Sequence, residues 1–257
     1  MNLSVALAVH NEEKNLTSCL EAVKGWVDEI VVVDGESTDK TSEIAKKYGA
    51  RVIKTTNKPI FHLNKQMAID ACRGEWVLQL DADEIVGQDL KKEIIAVLGK
   101  ENKNDAFSIR RKNFFLGHWL SKGGQYPDTV IRLFKKGRAY LPCRSVHEQM
   151  EVPSNKVGQL SGHLLHYPYP NFAEYLVKFN RYTQLTADEY WRDSKIKPTF
   201  WCYFTIEIKA MIDFLSRYLR HKGFLDGFPG LVFALFSALH YPVAFIKYWE
   251  KEHGSKK

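Results

Sequence analysis

Three short, almost wholly apolar runs, each ending abruptly in acidic and small polar residues, constrain this chain more than any other feature. They are Leu3–Val9, Ile30–Val33 and Trp76–Leu80. A strand that is apolar at nearly every position must be covered on both faces, as in a parallel sheet layered by helices. The segments between the runs supply those helices. Leu16, Cys19, Leu20, Val23 and Val27 recur at helical spacing. A second helix is expected after Thr38 or Asp39, either of which can cap it, with Ile44, Ala45 and Tyr48 inward and Gly49 as its stop. Arg51–Lys54 reads as another short strand, and Leu63, Met67, Ala71 and Cys72 mark a further helix, ended by Gly74. Strands alternating with helices through short links imply right-handed crossovers and an α/β fold with a mostly parallel sheet.

In such sheets ligands bind beyond the carboxyl ends of the strands. The polar residues of this chain gather there: His10-Asn11-Glu12-Glu13 after the first run, Asp34 to Asp39 after the second, Asp81-Ala82-Asp83-Glu84 after the third. Asp81 and Asp83 can reach the same side of one loop. Hard carboxylate oxygens suit Mg²⁺ or Mn²⁺, which in turn bind phosphate oxygens. One carboxylate would hold the metal and the other a ribose hydroxyl or a metal-bound water. Taken alone, an Asp-x-Asp pair is more often a solvated loop; as the third acidic loop on one sheet edge it reads as a site. Asp34, at the strand end itself, is placed for a nucleobase or ribose, whereas Asp39 is the better helix cap. Neither a Gly-x-Gly-x-x-Gly turn nor a phosphate-cradling Gly-Lys-Ser/Thr follows the first strand, so diphosphate charge must be met by metal and basic side chains. Arg110, Lys178 and Arg181 are candidates for that task.

Later segments change character. Ala106–Arg111 and Thr129–Phe134 alternate as antiparallel strands do, with Lys136-Gly137 as a turn. From Asn171 the pattern is helical and aromatic, which places a boundary near residue 170 and two domains, 1–170 and 171–257. The net charge is +7, and residues 195–257 hold ten Lys and Arg against five Asp and Glu. Their neighbours are Phe, Trp, Tyr and Leu, which favours a membrane surface over nucleic acid. Phe228 to Ile246 is a 19-residue stretch without Lys, Arg, Asp or Glu. It approaches the span length of roughly 20 residues. Pro229, His240 and Pro242 weigh against a clean spanning helix; an in-plane anchor and a buried helix are the two alternatives. The four cysteines have no metal or redox spacing, and no basic, cleavable segment precedes Leu3, so a reducing, cytosolic setting is expected.

The runs Ala8-Val-His-Asn-Glu-Glu13, Val31-Val-Val-Asp-Gly-Glu-Ser-Thr-Asp-Lys-Thr41 and Trp76-Val-Leu-Gln-Leu-Asp-Ala-Asp-Glu84 resemble family 2 glycosyltransferases in order and spacing. The resemblance implies a GT-A fold, a Rossmann-like sheet flanked by helices, and transfer with inversion at the anomeric carbon. Arg111-Lys-Asn-Phe-Phe-Leu-Gly117, Tyr126-Pro-Asp128, Arg132-Leu-Phe134, Val146-His-Glu148 and Gly223-Phe-Leu-Asp-Gly227 extend it to bacterial lipopolysaccharide-core β-glucosyltransferases. That narrower likeness implies UDP-glucose or another UDP-sugar as donor, Mn²⁺ or Mg²⁺ as cofactor and a lipid-linked glycan as acceptor, a heptose in several such enzymes. It also implies a peripheral or monotopic place on the cytoplasmic face of the inner membrane. It puts His10, Asn11, Glu12, Asp34 and Asp81 on the nucleotide sugar and Asp83 on the metal. His163 and His166 flank Leu-Leu in an apolar stretch, where a histidine is more often a satisfied core residue; the GT-A setting makes His166 a candidate third metal or diphosphate ligand. Glu148 falls where the family keeps its acidic base; Asp128, after a Gly-Gly-Gln-Tyr-Pro loop, is the other candidate base or a lining residue of the acceptor pocket. A sugar nucleotidyltransferase would share sheet and metal but needs a Gly-rich basic loop after the first strand. A non-catalytic membrane-bound scaffold would not need three intact acidic loops.

Overall fold

The computed structural model describes residues 2–58, 60–143, 149–192 and 199–254. They form two compact units. One comprises residues 1–112 and 128–166, the other 113–127 and 167–257.

The first unit is built on a mixed sheet. Strands β1 (Leu3–Val9), β2 (Glu29–Gly35), β3 (Arg51–Thr55) and β4 (Trp76–Leu80) lie parallel in the order β3-β2-β1-β4. Beyond β4 the sheet turns antiparallel, through β8 (Asp128–Lys135), β6 (Ala106–Phe115), β9 (Val157–His166) and β5 (Glu84–Val86). Ala106 pairs with Phe134 and Arg111 with Asp128. The apolar runs have the two-sided burial they require. Leu3, Val5 and Leu7 pack with Leu16, Leu20 and Val23 of helix α1 (Leu16–Val23). Ala6, Val31 and Val33 face the opposite way, onto Ala68, Ile69 and Cys72.

Three local expectations shift. Helix α1 ends at Val23, so Val27 lies beyond it. Helix α2 (Thr41–Lys47) begins at Thr41 with Lys40 in the cap position, yet Asp39 does the capping, its carboxylate accepting the Thr41 N–H at 2.9 Å. Helix α3 (His62–Ala71) buries His62, Asn64, Ala68 and Ile69, whereas Leu63 and Met67 are exposed. Asn64 turns inward where Gly35 of β2 leaves it room, a Cβ there standing 3.0 Å from its side-chain nitrogen, and that nitrogen donates to the Thr56 carbonyl at 3.1 Å.

Helix α4 (Gln88–Leu98) fixes β9. Its Glu93 carboxylate accepts the N–H groups of Ser161 and Gly162, each at 2.8 Å. A Cβ on Gly162 would stand 2.4 Å from the Leu90 Cα, so only glycine permits this approach. The result seats His166, the last residue of β9, opposite Glu84 in β5.

The second unit contains the short strand β7 (His118–Trp119), which pairs with the end of β6, and helices α5 (Phe172–Arg192), α6 (Phe200–Leu215) and α7 (Gly227–Gly254). Asn171 caps α5 by accepting the Glu174 N–H, and Thr199 caps α6 by accepting that of Cys202. Pro229 sits in the first turn of α7, where a missing N–H costs nothing, but Pro242 lies inside the continuous helix. Gly230, Ala234 and Ala238 form the buried seam of α7, while Phe228, Leu231, Leu235, Leu239, Ile246 and Trp249 are outward. The stretch Gly223–Gly254 is long and apolar enough to cross a membrane by length and composition, and 33% of its most apolar window is buried within the structure.

Candidate active site

The loops after β1 and β2 are stitched together. Asn11, at a left-handed φ of 56°, donates its N–H to Ser37 Oγ at 2.9 Å and accepts that of Thr38 at 2.8 Å. His10 Nδ1 lies 2.6 Å from the Gly35 carbonyl, and the Glu12 N–H donates to Thr41 Oγ1 at 2.8 Å. His10, Asn11 and Glu12 therefore shape this edge through the second loop. Asp34 is buried and accepts hydrogen bonds from the Ser37 N–H and the Ser42 hydroxyl. Burial pushes its carboxyl pKa up, but the hydrogen bonds outweigh that and leave it lowered.

At the end of β4 the structure assembles six charges in alternation. Lys65 Nζ is 2.5 Å from Asp81 Oδ1, and Arg132 reaches Asp81 Oδ2 at 2.6 Å and Glu84 Oε1 at 2.7 Å. Arg111 lies 3.3 Å from Glu84 and grips Asp128 through two nitrogens, at 2.8 and 2.9 Å. Glu84 is fully buried and also accepts the Asp81 N–H at 3.0 Å. Burial opposes the charge on Asp81, yet Arg132 and Lys65 hold its carboxyl well below the usual range. The same pairing, against burial, raises the Arg132 guanidinium above its ordinary value. An uncompensated charge here would be costly to bury, so the alternation is what allows the cluster to exist.

Asp83 and His166 come together, with Oδ2 3.6 Å from Nε2 and both side chains partly exposed. Cys19 reports the field around them. Its thiol is pushed well above its ordinary value, first by burial and then by Glu84, Asp83, Asp81 and Glu12. Acidic side chains from the first and third loops thus act on one point. No group of three metal-ligating side chains occurs among the described residues. One carboxylate plus one imidazole nonetheless fits a hard divalent cation that takes its remaining ligands from water and substrate phosphate.

Asp128 opens β8 and is held by Arg111. Glu148 lies outside the described residues. Among the phosphate-clamp candidates, Arg110 pairs across the sheet with Thr129, Arg181 is exposed on α5, and Lys178 donates to the Pro168 carbonyl at 2.7 Å. The cations that do reach the acidic loop, Lys65, Arg111 and Arg132, are ones the motif reading did not assign. Arg132 carried a signal: strict alternation over Asp128–Lys135 would put this charge on one face with Val130 and Phe134, an inward position, although the ladder to β6 shifts register at Arg132 itself.

The glycosyl transferase family 2 model matches residues 4–159. The lipopolysaccharide core biosynthesis glycosyltransferase LpsC of Rhizobium meliloti is 28% identical over 92% of this chain and 90% of its own. An uncharacterised glycosyltransferase of Rickettsia conorii is 36% identical over 90% of this chain and 83% of its own. Among solved structures, residues 1–349 of S. aureus TarS in complex with UDP align over 99% of this chain and 92% of theirs, with a TM-score of 0.52 at 17% identity. That likeness is one of fold, and the fold is the GT-A sheet with a long apolar helix near the C-terminus.

Proposed function

Because the chain belongs to glycosyl transferase family 2, we propose that it transfers a hexose, glucose from UDP-glucose, to a hydroxyl of a lipopolysaccharide-core acceptor with inversion. The observation that carries this reading is the convergence of three loops at one strand edge, with Asp83 and His166 3.6 Å apart beside a paired cluster of Lys65 and Arg132. The stitched first and second loops, with Asp34, receive the nucleoside. Asp81 keeps Lys65 and Arg132 in place, and these carry positive charge to the diphosphate end. A divalent cation held by Asp83 and His166 would add Lewis-acid charge for the leaving diphosphate. Glu148 takes the proton of the acceptor hydroxyl as its oxygen attacks the anomeric carbon on the face opposite UDP. Asp128, gripped by Arg111, shapes the acceptor side. The name of LpsC supports the acceptor class, and the TarS complex with UDP-GlcNAc supports a UDP-sugar donor on this fold.

A membrane surface is part of the same reading. In the second unit Phe200 is 75% exposed, Trp201 73% and Phe228 70%. They continue into the apolar stripes of α6 and α7, with Arg217, Arg220 and Lys222 nearby in sequence. Such a surface suits the headgroup boundary of an anionic bilayer on the cytoplasmic face of the inner membrane.

The test uses UDP-glucose with heptose-terminated lipopolysaccharide core in Mn²⁺, with and without chelator. Turnover is expected to vanish with chelator and to give a β-linked product. Glu148→Gln should lower turnover by about 10²–10⁴-fold while UDP affinity holds. Full activity in chelator sinks the metal, an α-linked product sinks inversion, and an active Glu148→Gln enzyme removes the base.

A further inference from the structure

The segment Gly223-Phe-Leu-Asp-Gly227 has no part in the chemistry above, yet its backbone is tightly determined. Lys222 and Gly227 both take left-handed φ, 58° and 63°. A Cβ on Gly223 would lie 2.8 Å from the Arg217 carbonyl oxygen, and one on Gly230 would lie 2.1 Å from that of Gly223. The turn is folded between the preceding π-helical turn, Ser216–Arg220, and the first turn of α7, with no room for a side chain at Gly223 or Gly230.

This folding drives Asp226 inward, to 4% exposure. Its Oδ1 accepts the Ser121 N–H at 3.2 Å and the Ser121 hydroxyl at 2.9 Å; its Oδ2 accepts the Lys122 N–H at 2.8 Å. His118 Nε2 stands 3.6 Å away, and the Gly123 N–H donates to the His221 carbonyl at 3.0 Å. Three successive backbone donors of one loop are thus taken up by residues 221–226.

The loop so held has the chemistry of a saccharide platform. Trp119 and Tyr126 meet edge to face at 5.3 Å between centroids, and both are partly exposed, as is Gln125. An aromatic face beside an amide offers a sugar ring both an apolar surface and a hydrogen-bonding group. Two residues after Tyr126 the chain reaches Asp128.

We propose that Asp226 is a positioning residue that clamps the loop His118–Pro127 as the platform for the acceptor saccharide. The proposal rests on the transferase reading. A tie serving only stability would weaken the fold and leave substrate preference alone. A positioning residue acts on the acceptor and leaves the donor untouched. Asp226→Asn keeps the shape but presents an amide N–H to a backbone N–H that now finds a carboxylate oxygen.

The experiment compares wild type with Asp226→Asn in three readouts. With heptose-terminated lipopolysaccharide core as the acceptor probe, KM is expected to rise roughly tenfold, the worth of about one charge-assisted hydrogen bond. Hydrolysis of UDP-glucose by water should stay within about twofold of wild type on the same ground, since no donor contact changes. Hydrogen exchange of the Ser121 and Lys122 amides should accelerate while β1 keeps its protection. Ser121→Ala, which removes only the hydroxyl, should shift KM the same way and by less, and decides the matter if Asp226→Asn does not fold. Equal losses in transfer and hydrolysis, or a changed melting temperature with an unchanged acceptor KM, overturn the proposal. So does exchange at Ser121 and Lys122 that the substitution leaves as it was. A wild-type protein that releases no UDP from UDP-glucose speaks against the transferase reading instead, and the exchange readout still decides the clamp.

Discussion

The two units place their difficult residues in opposite ways. The sheet unit hides charge: Glu84 is fully buried and Arg132 nearly so, each stabilised by partners of opposite sign. The helical unit shows apolar surface, with Phe200, Trp201 and Met211 more than half exposed while Gly230, Ala234 and Ala238 occupy its seam. In the first, specificity comes from converting long-range pairing into a fixed charge pattern. In the second, stability comes from close helix packing, which frees the large side chains to face outward.

Breaking the charge pattern should have the largest effect. Arg132→Leu leaves Asp81 and Glu84 with Lys65 and Arg111 alone, and should destabilise the fold by about 3 kcal/mol in urea unfolding. A change under about 0.5 kcal/mol would mean the cluster is solvated and the contrast between units is false. Next comes Trp201→Ser. It should weaken binding to anionic phospholipid vesicles by about tenfold or more, from some 2 kcal/mol of lost apolar burial, with the urea midpoint almost unmoved. Lost stability with undiminished vesicle binding would reverse the assignment.

Salt should separate the units more gently. Raising NaCl across the physiological range should weaken vesicle binding roughly fivefold, because exposed basic residues are screened, and leave the urea midpoint in place. The smallest effect is in pH. Burial, aided by Lys247, lowers the His240 pKa, so the folded helical unit prefers the neutral ring. Its contribution is present above the unfolded histidine value near 6.5 and is lost as pH falls from there through the lower folded value. Asp34 and Asp81 are depressed carboxylates; their contribution is present above roughly pH 4 and lost only below. Hydrogen exchange at pH 5.5 should therefore show α7 slightly loosened and β1 unchanged. Loosening of β1 first would contradict the assignment.

The parallel half of the sheet was legible because Val31, Val32 and Val33 can be satisfied only by cover on two faces, a local property of sequence. The acidic loops were legible for the same reason, since strand ends locate them. The partners of Asp81 and Glu84 were not. Lys65 arrives on α3, and Arg132 and Arg111 on β8 and β6, so their meeting depends on the order β4-β8-β6, which no local pattern encodes. The inner face of α3 escaped likewise, because Asn64 is buried through the space at Gly35 and its bond to the Thr56 carbonyl, both outside the helix, while Leu63 and Met67 stay exposed.

One feature of the chain order bears on how this protein can be dissected by genetics. Residues 113–127 belong with 167–257, although a long stretch of sequence separates them. A stop codon after about residue 225 would delete the apolar helix and, with it, Asp226, which holds Ser121 and Lys122. Such a deletion would merge the proposed membrane contact and the proposed acceptor loop into a single phenotype. Point changes on the outer face of α7, Leu235 or Leu239 to Ser, separate the two, because they leave Asp226 and its turn intact.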